Sequence, residues 1–128
     1  MTVQRVPADP PAGYSGAVSI GGDGRWVLVS GHVGFGPDGD VVPGGMGAEA
    51  RATFDGIAQT LAGCGATLAH VVKIVAYITE LESYGEYAAV RSEVFGAQLP
   101  ASSTVQVAGL LAGARIEVEA VAFVPVDA

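Results

Sequence analysis

The sequence predicts an α+β domain in which two helices lie on one face of a mixed, six-stranded sheet. Three observations carry this. Ala50, Phe54, Ile57 and Leu61 recur at helical spacing, with Glu49, Arg51, Asp55 and Gln59 largely off that stripe. Val71 to Thr79 is an unbroken run rich in Val, Ile and Tyr, the pattern of a central strand covered on both faces or nearly so. In Arg115 to Val124, Ile116, Val118, Ala120 and Ala122 fall on one side and Glu117, Glu119, Val121 and Phe123 on the other.

The remaining elements follow from punctuation. Pro7, Pro10 and Pro11 mark residues 1–12 as an extended N-terminal arm. Ala17 to Ile20 and Trp26 to Ser30 are short β-type runs around Gly21-Gly22-Asp23-Gly24, a spacing that predicts a hairpin. Gly36-Pro37-Asp38-Gly39 is a turn, after which Asp40 to Val42 make a short extended stretch. The first helix is expected over Gly47 to Ala62, stopped by Gly63 and Gly65. Ser83-Tyr84-Gly85-Glu86 has the form of a capping box, which places the second helix from about Tyr84 to Phe95. Thr104 to Val107 is a further strand, separated from the last one by the Gly109 to Gly113 turn. With both helices on one side, the other sheet face is left uncovered by this chain, and an apolar face of that kind calls for a partner subunit.

Bulk properties narrow the function. At 128 residues and 50% apolar composition, the chain is long enough for one core and too short for two, so residues 1–128 form a single domain. Its net charge is −7 and its six cations are scattered, which argues against a nucleic-acid partner, since such affinity draws on concentrated basic surface. Met1 to Ala12 lacks the charged start and apolar run of a signal peptide, and no apolar stretch approaches membrane-spanning length. With Cys64 the only cysteine, the expected setting is a reducing cytoplasm. His32 and His70 have no helical pairing, so no metal site is expected.

Two features carry chemistry. Glu117 and Glu119 share one face of the last strand, where burial of either would suit it to acid or base work. Arg91 lies on the stripe of Tyr84, Tyr87, Ala88, Val94 and Phe95, and a cation on an apolar helix face needs a counterpart. It either recognises an anion, snorkels to solvent, or pairs with Glu86, Glu93 or a carboxylate of a neighbouring copy.

The local signatures Tyr14-Ser15-Gly16-Ala17, Val29-Ser30-Gly31, Gly39-Asp40-Val41-Val42, Val71-Val72-Lys73, Ser103-x-Val105-x-Val107 and Ile116-Glu117-Val118-Glu119, in this element order, resemble the Rid family of reactive-intermediate deaminases. These proteins are also called YjgF-type, or L-PSP endoribonucleases. The resemblance covers nearly the whole chain. It implies a chorismate-mutase-like fold, a homotrimer whose sheets form a central barrel, and small-molecule pockets at the subunit interfaces. It also implies cofactor-free hydrolysis of an enamine or imine to a keto acid and ammonia.

The same resemblance assigns residues. Glu117 matches the family glutamate that positions or activates water. Tyr14, Ser30 and Gly31 match pocket-lining positions, and His32 stands where glutamine is common. The family's carboxylate-gripping arginine, in its Pro-x-Arg-Ser motif, falls on Ser102 of Pro100-Ala101-Ser102-Ser103, and a frequent cysteine falls on Thr104. Ser102 cannot supply the charged fork that orients a carboxylate. Arg91, matched with a pocket-facing helical asparagine of the family, is the candidate replacement. The expected function is therefore a hydrolytic deaminase of a small enamine, imine or related unsaturated compound. The alternative is a catalytically inactive trimeric small-molecule-binding or chaperone-like protein that kept the pocket.

Overall fold

The computed structural model describes residues 3–126. Six strands, β1 (Val3–Ala12), β2 (Tyr14–Ile20), β3 (Gly24–His32), β4 (Val71–Ile78), β5 (Ala101–Gln106) and β6 (Ile116–Pro125), form one sheet in the order β1-β2-β5-β4-β6-β3. The β2–β5 and β4–β5 pairs are parallel and the others antiparallel, so the sheet is mixed. Helices α1 (Gly45–Gly63) and α2 (Tyr84–Phe95) pack on the same core, and no helix among the described residues is long and apolar enough to cross a membrane.

The predicted helical stripe is the core: Ala50, Phe54, Ile57 and Leu61 are buried against Ile74, Ala76 and Ile78 of β4 and Ile116, Val118, Ala120 and Ala122 of β6. The rings of Phe54 and Tyr87 stack at 6.3 Å, and Phe95 meets Phe54 edge-on at 5.4 Å, which joins α1 to α2. Glu49, expected off the stripe, is fully buried instead. It accepts hydrogen bonds from the Arg115 backbone N–H and from Arg115 Nη1, both at 2.8 Å, a geometry that ties α1 to the start of β6. A helical wheel cannot anticipate this, because the cation that compensates the carboxylate lies 66 residues away.

Other expectations give way to tertiary pairing. The glycine-rich segment after β2 does not make a hairpin, since β2 takes β1 and β5 as neighbours while β3 pairs with β6 at the opposite edge. Turn residues favour reversal, but ladder partners are chosen by which apolar faces can be buried together. The proline-rich arm, over its described residues, is an edge strand with register shifts around Pro7, and edge position is where a sheet tolerates proline. Asp40 to Val42 contribute only an isolated bridge, Phe35 to Val41. The capping box is not formed: Ser83 Oγ donates to Glu80, and Glu86 accepts from the Gly47 backbone N–H at 3.3 Å.

Strand β4 is central, yet covered by helices on one face only. On the other face Val75, Tyr77 and Val121 are half-buried, while Trp26, Leu28 and Val105 are exposed by 56%, 78% and 43%. Large apolar side chains at that exposure form a surface that water alone does not suit.

Candidate functional site

Strand register separates the predicted site residues into two groups. Ser102 pairs with Ile74 and Thr104 with Ala76, so both hydroxyls lie on the helix-covered face. Glu117 pairs with Tyr77 and Glu119 with Val75, on the uncovered face. Because β4 lies between β5 and β6, the two groups are also about 10 Å apart across the sheet. One chain therefore does not bring Glu117 to Ser102.

The first group is built on α2 and the strands beside it. Arg91 is 2% exposed, with its guanidinium carbon 5.2, 5.6 and 5.2 Å from the ring centroids of Tyr14, Tyr84 and Tyr87. Tyr14 is brought there by Ser15, whose N–H donates to the Pro100 carbonyl at 2.9 Å and whose hydroxyl donates to the Leu99 carbonyl, just before Ser102 on β5. Gly13 seats the same turn on α2: a Cβ there would lie 2.6 Å from Ser92 Oγ and 3.3 Å from Arg91 Nη2. Neither intrachain carboxylate considered as an Arg91 partner takes that role, because Glu93 is bonded to Arg51 at 2.8 Å and Glu86 to Gly47.

Arg91 Nε and Nη1, Ser102 Oγ and Tyr87 Oη are all buried without a hydrogen-bond partner. Burial pushes the Tyr87 phenol above its usual range, and the Arg91 charge with the neighbouring Ser102 and Thr104 hydroxyls pulls it partly back. Unpaired buried polar groups are rare in folded proteins, and four such atoms gathered here, two of them on a guanidinium, offer the kind of donors that an anion accepts. The sequence signals pointed to Arg91, Ser102, Thr104 and Tyr14 and not to Tyr87, which reads as an ordinary core aromatic. Its one signal was a hydroxyl four residues before Arg91, one helical turn away.

The second group lies on β3 and β6. Gly31 leaves room there for the Glu117 carboxylate, which a Cβ at this position would push aside. Ser30 is exposed beside it. His32 is turned to α1, donating from Nδ1 to the Ser30 carbonyl at 2.8 Å and accepting from Thr60 Oγ1 at Nε2 at 2.9 Å, so both ring nitrogens are engaged. Glu119 accepts the Tyr77 hydroxyl at 2.5 Å, a bond that holds the Tyr77 phenol above its usual range. That engagement leaves Glu117 as the carboxylate of the pair with no hydrogen bond or ion pair among the described residues. No cluster of three metal-ligating side chains occurs among the described residues.

A mixed sheet with two helices on one face and an apolar face left open defines a class of small α+β proteins, and known proteins of that class resemble this chain. The family model for endoribonuclease L-PSP matches residues 5–124, and the chain belongs to this family, the Rid family. It is 34% identical over 110 residues to the 2-iminobutanoate/2-iminopropanoate deaminase of Rattus norvegicus, covering 85% of this chain and 78% of that protein. A RutC family protein of Pyrococcus abyssi is 32% identical, with 91% of each chain covered. Among solved structures, RidA from an Antarctic Psychrobacter superposes with a TM-score of 0.75 at 30% identity, covering 97% of this chain and 99% of that one.

Proposed function

We propose that the protein is a hydrolytic deaminase of small imines or enamines, working as a homotrimer whose pockets are each completed by two copies. The observation that carries this reading is Arg91, a buried guanidinium with unpartnered Nε and Nη1 beside Ser102. The charge absent from the strand is present on the facing helix, so a substrate carboxylate can still be held. The relatives named as imine deaminases support the reaction, and the separation of Glu117 from Arg91 within one chain supports a pocket shared between copies. The open apolar face supplies the association surface.

In this pocket Arg91 orients the carboxylate, with Tyr14, Ser102 and Thr104 shaping its wall. Glu117, beside Ser30 and Gly31 of the facing copy, accepts a proton from water as the oxygen attacks the imine carbon. The nitrogen takes up a proton and leaves as ammonia when the carbinolamine collapses to the keto acid. No step requires a metal or organic cofactor, and the net charge of −7 does not favour the ribonuclease activity in the family's title. A reducing cytoplasm is the setting this reading takes.

The test is ammonia and keto-acid release from freshly generated 2-iminopropanoate and 2-iminobutanoate, with Glu117→Gln as the control. Turnover that drops by about 100-fold or more in the variant supports the reading. Equal turnover in both proteins overturns the role of Glu117. The receptor atoms also favour a second reading, since they call for a ligand but not for chemistry. Carboxylate binding without turnover on any imine would establish that binding protein instead.

A further inference from the structure

Tyr87 has no part in the mechanism just described, and packing explains its ring but not its hydroxyl. The residue is fully buried, stacked on Phe54 at 6.3 Å and meeting Tyr84 edge-on at 5.9 Å, contacts that phenylalanine would make equally well. Its oxygen makes no hydrogen bond. It belongs to the same group of unpartnered buried atoms as Arg91 Nε, Arg91 Nη1 and Ser102 Oγ, with the guanidinium carbon 5.2 Å from its ring centroid. A buried hydroxyl with no partner among the described residues, next to a cation in the same state, is placed for a third party.

We infer that Tyr87 is a further substrate-binding residue, whose hydroxyl donates to the same carboxylate that Arg91 holds and, with Ser102, completes a receptor for one small oxyanion. The inference rests on the reading of Arg91 given above and adds to it a neutral donor. Because burial pushes the phenol above its usual range and so disfavours ionisation, Tyr87 carries its proton at neutral pH and is a donor to an arriving anion. A carboxylate arriving here satisfies guanidinium and hydroxyls together. Entry displaces the Gly13–Tyr14 turn, which lies over Arg91 and Ser92.

Tyr87→Phe separates the roles of ring and oxygen. Calorimetric titration of the purified protein with pyruvate, the keto acid that hydrolysis of 2-iminopropanoate would yield, is expected to show binding weakened about tenfold or more, the loss of one hydrogen bond to a charged group. The melting temperature is expected to hold or rise, since an unpaired buried hydroxyl has been removed. Unchanged pyruvate affinity overturns the inference, and so does a melting temperature lowered by several degrees, which would mark the hydroxyl as structural. Arg91→Met in the same titration distinguishes the levels of failure. If it abolishes binding while Tyr87→Phe does not, only the role of Tyr87 falls. If Arg91→Met binds pyruvate normally, or the wild-type protein does not bind it, the reading of the receptor falls with it.

Discussion

Replacing Arg91 by methionine should leave the protein at least as stable while removing its grip on an anion. Arg91 is 2% exposed and has no carboxylate partner among the described residues, so folding bears a desolvation cost of several kcal/mol for the cation. Three tyrosine rings at 5.2, 5.6 and 5.2 Å return part of it, about 1–2 kcal/mol each where the contact is dry. Methionine has a similar length, fills the space among the rings and makes its own sulfur–aromatic contacts. Exchanges of buried ionic groups for apolar ones of like volume are commonly neutral to stabilising, and here the expected gain is about 1–3 kcal/mol. For a chain of this size that is roughly 3–6 °C in melting temperature per kcal/mol. Thermal unfolding of wild type and Arg91→Met at neutral pH, alongside pyruvate titration, reads both quantities. A loss of more than about 2 kcal/mol, with pyruvate affinity intact, would refute the reasoning and mark Arg91 as a structural cation paired across a subunit contact.

Three further outcomes are expected. Arg115→Ala should destabilise more than Glu49→Gln by chemical denaturation, because the former leaves a fully buried carboxylate with only a backbone N–H to bond, while the latter keeps size and an acceptor and costs about 1–2 kcal/mol. Equal effects would show that the pair is held by packing alone. Leu28→Asp, on the open face and 78% exposed, should shift the proposed trimer to monomer in sedimentation or multi-angle scattering run beside the wild-type protein, and an oligomer unchanged from wild type would exclude β3 from the interface. Tyr77 holds its proton more tightly when folded, through the hydroxyl bond to Glu119, so its contribution to stability is complete below about pH 10 and is lost as pH rises through the higher folded value. Tyr77→Phe should flatten that alkaline decline in a pH series of melting temperatures, and an unaltered slope would assign it elsewhere.

How much of the site could be anticipated depends on the range of the signal. The matched motifs pointed to Tyr14, Ser30, Gly31, Ser102, Thr104 and Glu117 as candidates, and a helical wheel singled out Arg91. None of these signals told which side of the sheet each residue faces relative to another strand. Ser102 and Glu117 stand on opposite faces because of strand registers, a matter of which backbone groups pair across the ladder. Tyr87 escaped notice because an aromatic on an apolar stripe is ordinarily core. Only the absence of a partner for its hydroxyl distinguishes it.

By itself the sequence determined what is local: the apolar stripe of α1, the β-branched run of β4, and the alternation that puts Glu117 and Glu119 opposite Ile116 and Val118. These follow from backbone periodicities of 3.6 and 2, which need no distant residue to express themselves. Only the tertiary structure decided that β3 pairs with β6 rather than β2, that Glu49 is buried with Arg115, and that Arg91 is enclosed by Tyr14, Tyr84 and Tyr87. Each of these joins residues far apart in the chain or on separate elements. Their energy comes from burying faces and pairing charges that meet only after the sheet and helices have closed on one another.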